Sequence, residues 1–335
     1  MKICVSEFTF KAFEELLTDS FINDEFILID SESNIVHGEG KPDIALVSYE
    51  LMFKALKSEV FFSKYLSLID GCLYVQGSWA GIETTQAKAL ISHSKNFSHG
   101  GGIHAIPIAT YVFAQILRSV KSIDAHIKMQ NQKEWKQMMS VGELTDLSIG
   151  ITGFGGIGQE VARLAKSFRM NVYATKRTPV LSDNLDRLFK PSELNEMLTK
   201  CDFVVNCLPS TPDTHKVFSH AQFQAMKPSA MFINVGRGES VDEESLAQAL
   251  KEKEILCAAL DTTDPEPLNS TSPLLIITSP NNNTRLLSTI ITMLSEAEYD
   301  MDSSCPNKVS FFNTRIRKRK NIPNLNPCVF PLISR

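Results

Sequence analysis

The chain has little that would place it in a membrane or send it out of the cell. No stretch of its 335 residues reaches the roughly 18 uninterrupted apolar positions that a membrane helix needs, and the opening MKICVSEFTF has one lysine but no apolar signal core. It reads as soluble and unexported. Cysteine is sparse: seven residues (4, 72, 201, 207, 257, 305 and 328), odd in number, far apart and with no C-x-x-C. That argues against a disulfide framework and a zinc site, and for a reducing cytoplasm. There is no chain-wide basic field either. Lys+Arg 34 against Asp+Glu 38 leaves a net charge of -4, so nucleic acid is not expected as a partner. An internal repeat of fixed period is also missing.

What is present is an ordinary globular composition, 43% hydrophobic and 21% charged, and a length that suggests about two domains at roughly 150 residues each. From Met1 to about Ser78, short apolar runs (KICVS, EFILID, DIALVS, CLYVQ) alternate with longer amphipathic stretches such as FKAFEELLTD and LMFKALKSEVFFSKYLSLI. That alternation is the pattern of βα units and a parallel sheet. HGGGIH at 99–104 punctuates the chain before a long helical pattern from about Ala105 to Lys128. A second series follows: LSIGIT, a helix from about Ile157 to Phe168, NVYAT, DFVVNC, MFINV, a helix from Glu243 to Lys251, and CAALD. Two α/β domains in tandem are expected. Past Leu275, SPNNNT is a loop by composition, LLSTIITML is expected as one helix, and a Pro/Asn-rich tail follows RIRKRK.

The chemistry starts at Gly153-Phe154-Gly155-Gly156-Ile157-Gly158, a G-x-G-x-x-G directly after an apolar strand and opening a helix. The first glycine permits the tight turn, the second lets a pyrophosphate approach the backbone, and the third lets helix and strand pack closely. The helix N-terminus then offers N–H groups to the anion. Alone, such a motif is only a tight βα turn; here strand, glycines and helix come in the required order. The next strand ends in Tyr173-Ala174-Thr175-Lys176-Arg177-Thr178. An NAD site has an acid there for the ribose 2′-OH; this chain has Lys176 and Arg177 flanked by hydroxyls, which suits a 2′-phosphate. NADP is therefore expected, with NAD as the alternative and a solvated basic turn as the plainer explanation.

GFGGIGQEVARLAKSFRM, CDFVVNCLPSTPDTHKVF, MKPSAMFINVGRGESVDEESLAQAL and CAALDTTDPEPL, in that order, resemble the D-isomer-specific 2-hydroxyacid dehydrogenases of the glyoxylate/hydroxypyruvate reductase type. The resemblance covers about Gly71 to Leu275 well and the first 70 residues in architecture only. It implies an α/β fold with a Rossmann-type, doubly wound nucleotide domain over 100–285. It also implies a smaller flavodoxin-like substrate domain that starts in 1–99, and a homodimer formed through the nucleotide domains. Segment 286–335 stands where the family returns to the substrate domain, and is divergent. The resemblance makes Arg237 the catalytic arginine, able to hold a 2-oxoacid carboxylate and polarise its ketone as hydride arrives. Glu266 becomes the carboxylate that orients a histidine acid/base. Asp261 becomes the acceptor for the nicotinamide carboxamide, Val235 a backbone contact there, and Leu208, Pro209 and Thr214 the loop bordering the adenosine and ribose. QGSWAGIE resembles the substrate loop, with the backbone N–H groups of Ala80 and Gly81 on the substrate carboxylate.

One departure stands out. The family's proton donor is a histidine in a T-P-H-like segment beyond the glutamate, but all seven histidines here (37, 93, 99, 104, 126, 215, 220) precede Glu266, and the nearest equivalent is Ser279-Pro280-Asn281. Loss of a positioned general acid costs about 10²–10⁴ in rate. Local divergence and a shifted frame or alternative terminus near 276–285 both account for a match that stops there. The basic run Arg315, Arg317, Lys318, Arg319, Lys320 reads first as a solvated tail. Two readings stay open: a slowed NADP(H)-dependent reductase of a small 2-oxoacid, and a non-catalytic dinucleotide-binding sensor of corepressor type. A nucleic-acid module rests on the tail alone.

Overall fold

The computed structural model describes residues 1–82, 84–137, 141–266, 268–276 and 286–288. These residues form two compact units that divide between His104 and Ala105. Ser279-Pro280-Asn281 and the basic run at 315–320 lie outside the described residues.

The first unit runs β1 (Lys2–Ser6), α1 (Glu7–Ala12), α2 (Glu14–Ser20), β2 (Glu25–Ile29), β3 (Ile35–His37), β4 (Ile44–Val47), α3 (Tyr49–Lys57), α4 (Glu59–Ile69), β5 (Tyr74–Gly77), α5 (Thr85–Ser92) and β6 (Phe97–Ser98). Its sheet, among the described residues, has the order β3-β2-β1-β4-β5-β6, parallel except for β3, which pairs antiparallel with β2. Without the β3 edge, the order of the parallel strands is the flavodoxin-like 2-1-3-4-5. The two long amphipathic stretches each fold as two helices rather than one. Phe13 leaves helical geometry at φ -133° between α1 and α2. Ser58, at φ -141°, is the break between α3 and α4; its hydroxyl accepts from Phe61 N at 3.2 Å. A serine whose side chain satisfies a free helix donor starts a new helix more readily than it continues the old one.

The second unit begins with α6 (Ala105–Val120) and α7 (Ile123–Asn131). They take the place of the single helix expected to Lys128, because Ser122 adopts left-handed geometry at φ 50°. There follow β7 (Ser148–Thr152), α8 (Gly156–Ser167), β8 (Asn171–Thr175), β9 (Arg187–Phe189), α9 (Leu194–Leu198), β10 (Phe203–Asn206), α10 (His220–Ala225), β11 (Met231–Asn234), α11 (Glu243–Glu252), β12 (Cys257–Leu260), α12 (Pro273–Ile276) and β13 (Leu286–Ser288). The described strands run β13-β12-β11-β10-β7-β8-β9, all parallel. Order reverses at β7/β10, the switch point of a doubly wound sheet, and ligands bind outside the carboxyl ends of strands at such points.

Alternation along the central strands builds two cores. Ile149, Ile151, Phe203, Val205, Met231 and Ile233 face one side with α6 and α8; Val204, Phe232, Ala258 and Leu260 face the other with α9, α10 and α11. The buried stripe of α8, Gly158, Val161, Ala162 and Ala165, has the 3.6-residue spacing that lays one helix face on the sheet. Leu286–Ser288, expected within a helix, is instead β13, in register with β12 from Ala258 beside Leu286 to Leu260 beside Ser288. An available strand edge supplies backbone partners that outweigh the weak helical preference of three residues.

Candidate active site

The sequence-predicted cofactor residues fall on successive loops at the carboxyl ends of β7, β8, β10, β11 and β12. Gly153 has φ +87°, and a Cβ there would lie 2.9 Å from the carbonyl oxygen of Cys207, so the turn requires glycine on both counts. Gly158 would drive a Cβ to 2.4 Å from Gly153 O and 3.0 Å from Ile151 Cγ2, which is the close helix–strand approach. Gly155 differs: nothing stands within 4 Å of its Cβ position. Gly155 and Gly156 are exposed, Ile157 is half-buried, and Gly155, as N-cap of the twelve-residue α8, brings no side-chain acceptor to the first turn. An open, positively polarised helix start over a glycine backbone fits a dinucleotide pyrophosphate.

At the end of β8, Thr175 is buried, Lys176 half-buried and Arg177 and Thr178 exposed. Lys176 Nζ donates to Phe154 O at 3.0 Å, while Arg177 lies 4.0 Å from Asp213 in a pair that is mostly exposed. After β10, Leu208 N donates to Asn206 Oδ1 at 3.2 Å, and Thr214 Oγ1 donates to Pro209 O at 2.6 Å, so the loop carrying Leu208, Pro209 and Thr214 is braced internally. Burial pushes the Cys207 thiol up to about 12, which leaves it no thiolate near neutral pH.

Sequence reasoning missed what holds these loops together. Asn206, fully buried, accepts from Thr152 Oγ1 at 2.9 Å and donates to Asn234 Oδ1 at 2.9 Å and Ser240 Oγ at 2.6 Å. Asn234, also fully buried, donates to Arg237 O and to Thr262 O, each at 3.3 Å, and Ser240 Oγ donates to Arg237 O at 2.6 Å. Thr152, Asn206 and Asn234 are register neighbours at the ends of β7, β10 and β11. Three side chains therefore tie the glycine-loop strand to the arginine loop. The only sequence signal was a polar residue closing each apolar run.

Arg237 is half-buried, with Nη1 donating to Gly236 O at 2.9 Å. A Cβ on Gly236 would lie 2.6 Å from Leu208 O, and one on Gly238 would lie 2.1 Å from the carbonyl carbon of Thr263, so both glycines of N-V-G-R-G are fixed by close backbone approach. Glu266 interacts electrostatically with Arg237: burial around its carboxyl raises it above the usual carboxylate range, with the guanidinium pulling the other way. Val235 is buried, with N–H on Asn206 O at 3.0 Å, and Asp261 N donates to Asn234 O at 2.9 Å. Arg237, Glu266, Asp261, Val235 and the glycine loop all belong to the second unit.

Ala80 and Gly81 belong to the first unit, half-buried in the turn after β5. Trp79 anchors that turn. It is buried, a Cβ on Gly77 would lie 2.8 Å from its ring, and its carbonyl accepts from Gly100 N at 2.7 Å. His99, also in this unit, accepts from Gly101 N through Nδ1 at 3.0 Å, and burial lowers the His104 imidazole.

A doubly wound parallel sheet with a glycine-rich turn at its switch point, an open helix start and two cations just past the next strand defines a dinucleotide-binding protein. Residues 113–284 match the family model described as D-isomer specific 2-hydroxyacid dehydrogenase, NAD binding domain, and the chain belongs to that family. It is 30% identical over 248 residues to the glyoxylate/hydroxypyruvate reductase B of Klebsiella pneumoniae, covering 71% of this chain and 74% of that one. Over 136 residues it is 42% identical to a glyoxylate reductase of Thermococcus gammatolerans, a match that spans 40% of each protein. In fold it is similar to the NADPH-dependent glyoxylate/hydroxypyruvate reductase of Sinorhizobium meliloti in complex with NADP and sulfate, with a TM-score of 0.65 and 23% identity over 85% of this chain and 86% of that one.

Proposed function

We propose that this chain is an NADPH-dependent reductase of a small 2-oxoacid, glyoxylate or hydroxypyruvate, and that it turns over slowly. The observation that carries the reading is Arg237, its backbone carbonyl held by buried Asn234 and Ser240 on the loop that packs against Leu208, with the Glu266 carboxyl in electrostatic reach. Relatives named as glyoxylate and glyoxylate/hydroxypyruvate reductases support the substrate class. The second unit holds the cofactor: Gly153, Gly155, Gly156, Ile157 and Gly158 receive the pyrophosphate, Leu208, Pro209 and Thr214 border the adenosine and ribose, and Val235 and Asp261 meet the nicotinamide end. Lys176, Arg177 and Thr178 present cations and a hydroxyl where an NAD site has an acid, so NADPH is preferred to NADH.

Bound NADPH supplies the hydride. As it reaches the carbonyl carbon, the π pair moves to oxygen, where the Arg237 guanidinium stabilises the growing negative charge and holds the substrate carboxylate. Glu266 has no imidazole after it in the sequence to orient, so the alkoxide takes its proton from water, without the advantage of about 10²–10⁴ that a positioned acid gives. A homodimer in the cytoplasm completes the proposal. The described cysteines 4, 72, 201, 207 and 257 are free, and no described helix is long and apolar enough to cross a membrane.

The test is NADPH oxidation by the purified chain with glyoxylate or hydroxypyruvate, alongside binding titrations of NADPH and NADH. Tighter NADPH binding and turnover about 10²–10⁴ below a histidine-bearing relative are expected. Turnover at that relative's rate would mean another group donates the proton. Cofactor binding without reduction of either acid would favour the sensor reading, which the position of all seven histidines before Glu266 keeps in view.

A further inference from the structure

The two cations after β8 do not sit alike. Lys176 is half-buried and its Nζ donates to the carbonyl of Phe154, the residue between the first two glycines, at 3.0 Å. One residue earlier, Thr175 O accepts from Gly153 N at 3.3 Å. Residues 175 and 176 therefore clamp the glycine loop at two successive points. Arg177 points away from this clamp: its side chain is 78% exposed, and its nearest carboxylate is Asp213, at 4.0 Å and 84% exposed. A pair so exposed holds weakly and gives way readily to a better anion.

The clamp has a consequence for the anion site. A trans peptide is planar and puts C=O and N–H on opposite sides, so a charge that holds the Phe154 carbonyl also fixes the direction of the Gly155 N–H. Gly155 is the glycine whose Cβ position has nothing within 4 Å and which caps α8. We infer that Lys176 is a positioning residue that aims the Gly155 N–H at the pyrophosphate, and that of the two cations Arg177 is the one that discriminates the 2′-phosphate. This rests on the reading of the second unit as the dinucleotide site. Pyrophosphate is common to NADH and NADPH, so Lys176 serves both, while Arg177 serves one.

The experiment measures dissociation constants of NADH and NADPH by calorimetry for the full chain and for K176M, K176R and R177M, with thermal midpoints alongside. K176M is expected to weaken both cofactors by the same factor, about 10- to 100-fold for a lost charge-assisted bond. The NADPH/NADH ratio stays within about threefold, and K176R, which still donates, recovers most of the loss. R177M is expected to lower NADPH affinity by about tenfold or more and leave NADH unchanged. A K176M that loses NADPH alone makes Lys176 a phosphate ligand and overturns the inference. So does a K176M that changes neither affinity. Should K176M not fold, K176Q keeps a neutral donor and the same ratio decides. An unmodified chain that binds neither dinucleotide brings down the cofactor reading itself; binding of both with a shifted K176M ratio brings down only the division of labour.

Discussion

In the proposed reaction, Arg237 is the residue on which the chemistry turns. Its backbone carbonyl is gripped by Asn234 and Ser240, and its guanidinium has an electrostatic partner in Glu266. Arg237→Ala is expected to abolish the residual reduction of glyoxylate, because oxyanion stabilisation is the largest surviving term once a positioned acid is gone. NADPH affinity should change little, since the glycine loop is untouched. Activity unchanged in that variant would remove Arg237 from the site. A second residue reports on pH. Burial works to raise the Asp186 carboxyl, but bonds from Lys166 Nζ and from Val172 N at 2.7 Å outweigh it and hold the group below its ordinary value. A depressed carboxylate contributes stability above its unfolded pKa and loses it as pH falls through the folded one. The stability gap between the wild type and Asp186→Asn should therefore be open at neutral pH and close below about pH 4. Urea midpoints at neutral pH and at pH ~3 check it; a gap that does not narrow in acid would mean the carboxylate is not the source.

At the scale of elements, β7, the glycine turn and α8 form one piece, and their fit depends on the absence of a single atom. Gly158→Ala places a methyl group 2.4 Å from Gly153 O, against backbone that has no room to move cheaply. The expected loss is about 1–3 kcal/mol of stability together with dinucleotide binding, read from the thermal midpoint and a titration. Full retention of both would show that α8 can shift. This piece was legible in the sequence because its motif is local: three glycines, an apolar run before them and a 3.6-residue stripe after them. The helix breaks at Phe13, Ser58 and Ser122 were not legible, since the hydrophobic pattern continues across each while one residue's backbone leaves the helix. Strand β13 was hidden for another reason, as Leu286–Ser288 takes its structure from the edge of β12.

Across the whole molecule, the division between His104 and Ala105 separates a unit with 2-1-3-4-5 parallel order from one with reversal at β7/β10. Only the second has the glycine turn at its switch point. NADPH at about 100 times its dissociation constant should stabilise the fold by about 2.7 kcal/mol, seen as a rise in thermal midpoint. Hydrogen-exchange protection should rise at the Gly153–Gly158 turn and at the ends of β10 and β11, because the buried asparagines tie those strand ends together. A midpoint that ignores NADPH would count against the dinucleotide reading.

The sequence by itself determined the α/β class, the tandem arrangement, the dinucleotide turn and the identity of the residues after each strand, because each is written in local order: periodicity, glycine spacing, a short motif. Only the tertiary structure decided what those residues do to one another. Thr152, Asn206 and Asn234 are each separated by 28 or more positions, yet stand side by side because parallel pairing puts strand ends in register. Lys176 and Arg177 are neighbours in the chain just past β8, but one reaches the Phe154 carbonyl and the other stands in solvent. Local order names the candidates; the register of the sheet assigns their partners.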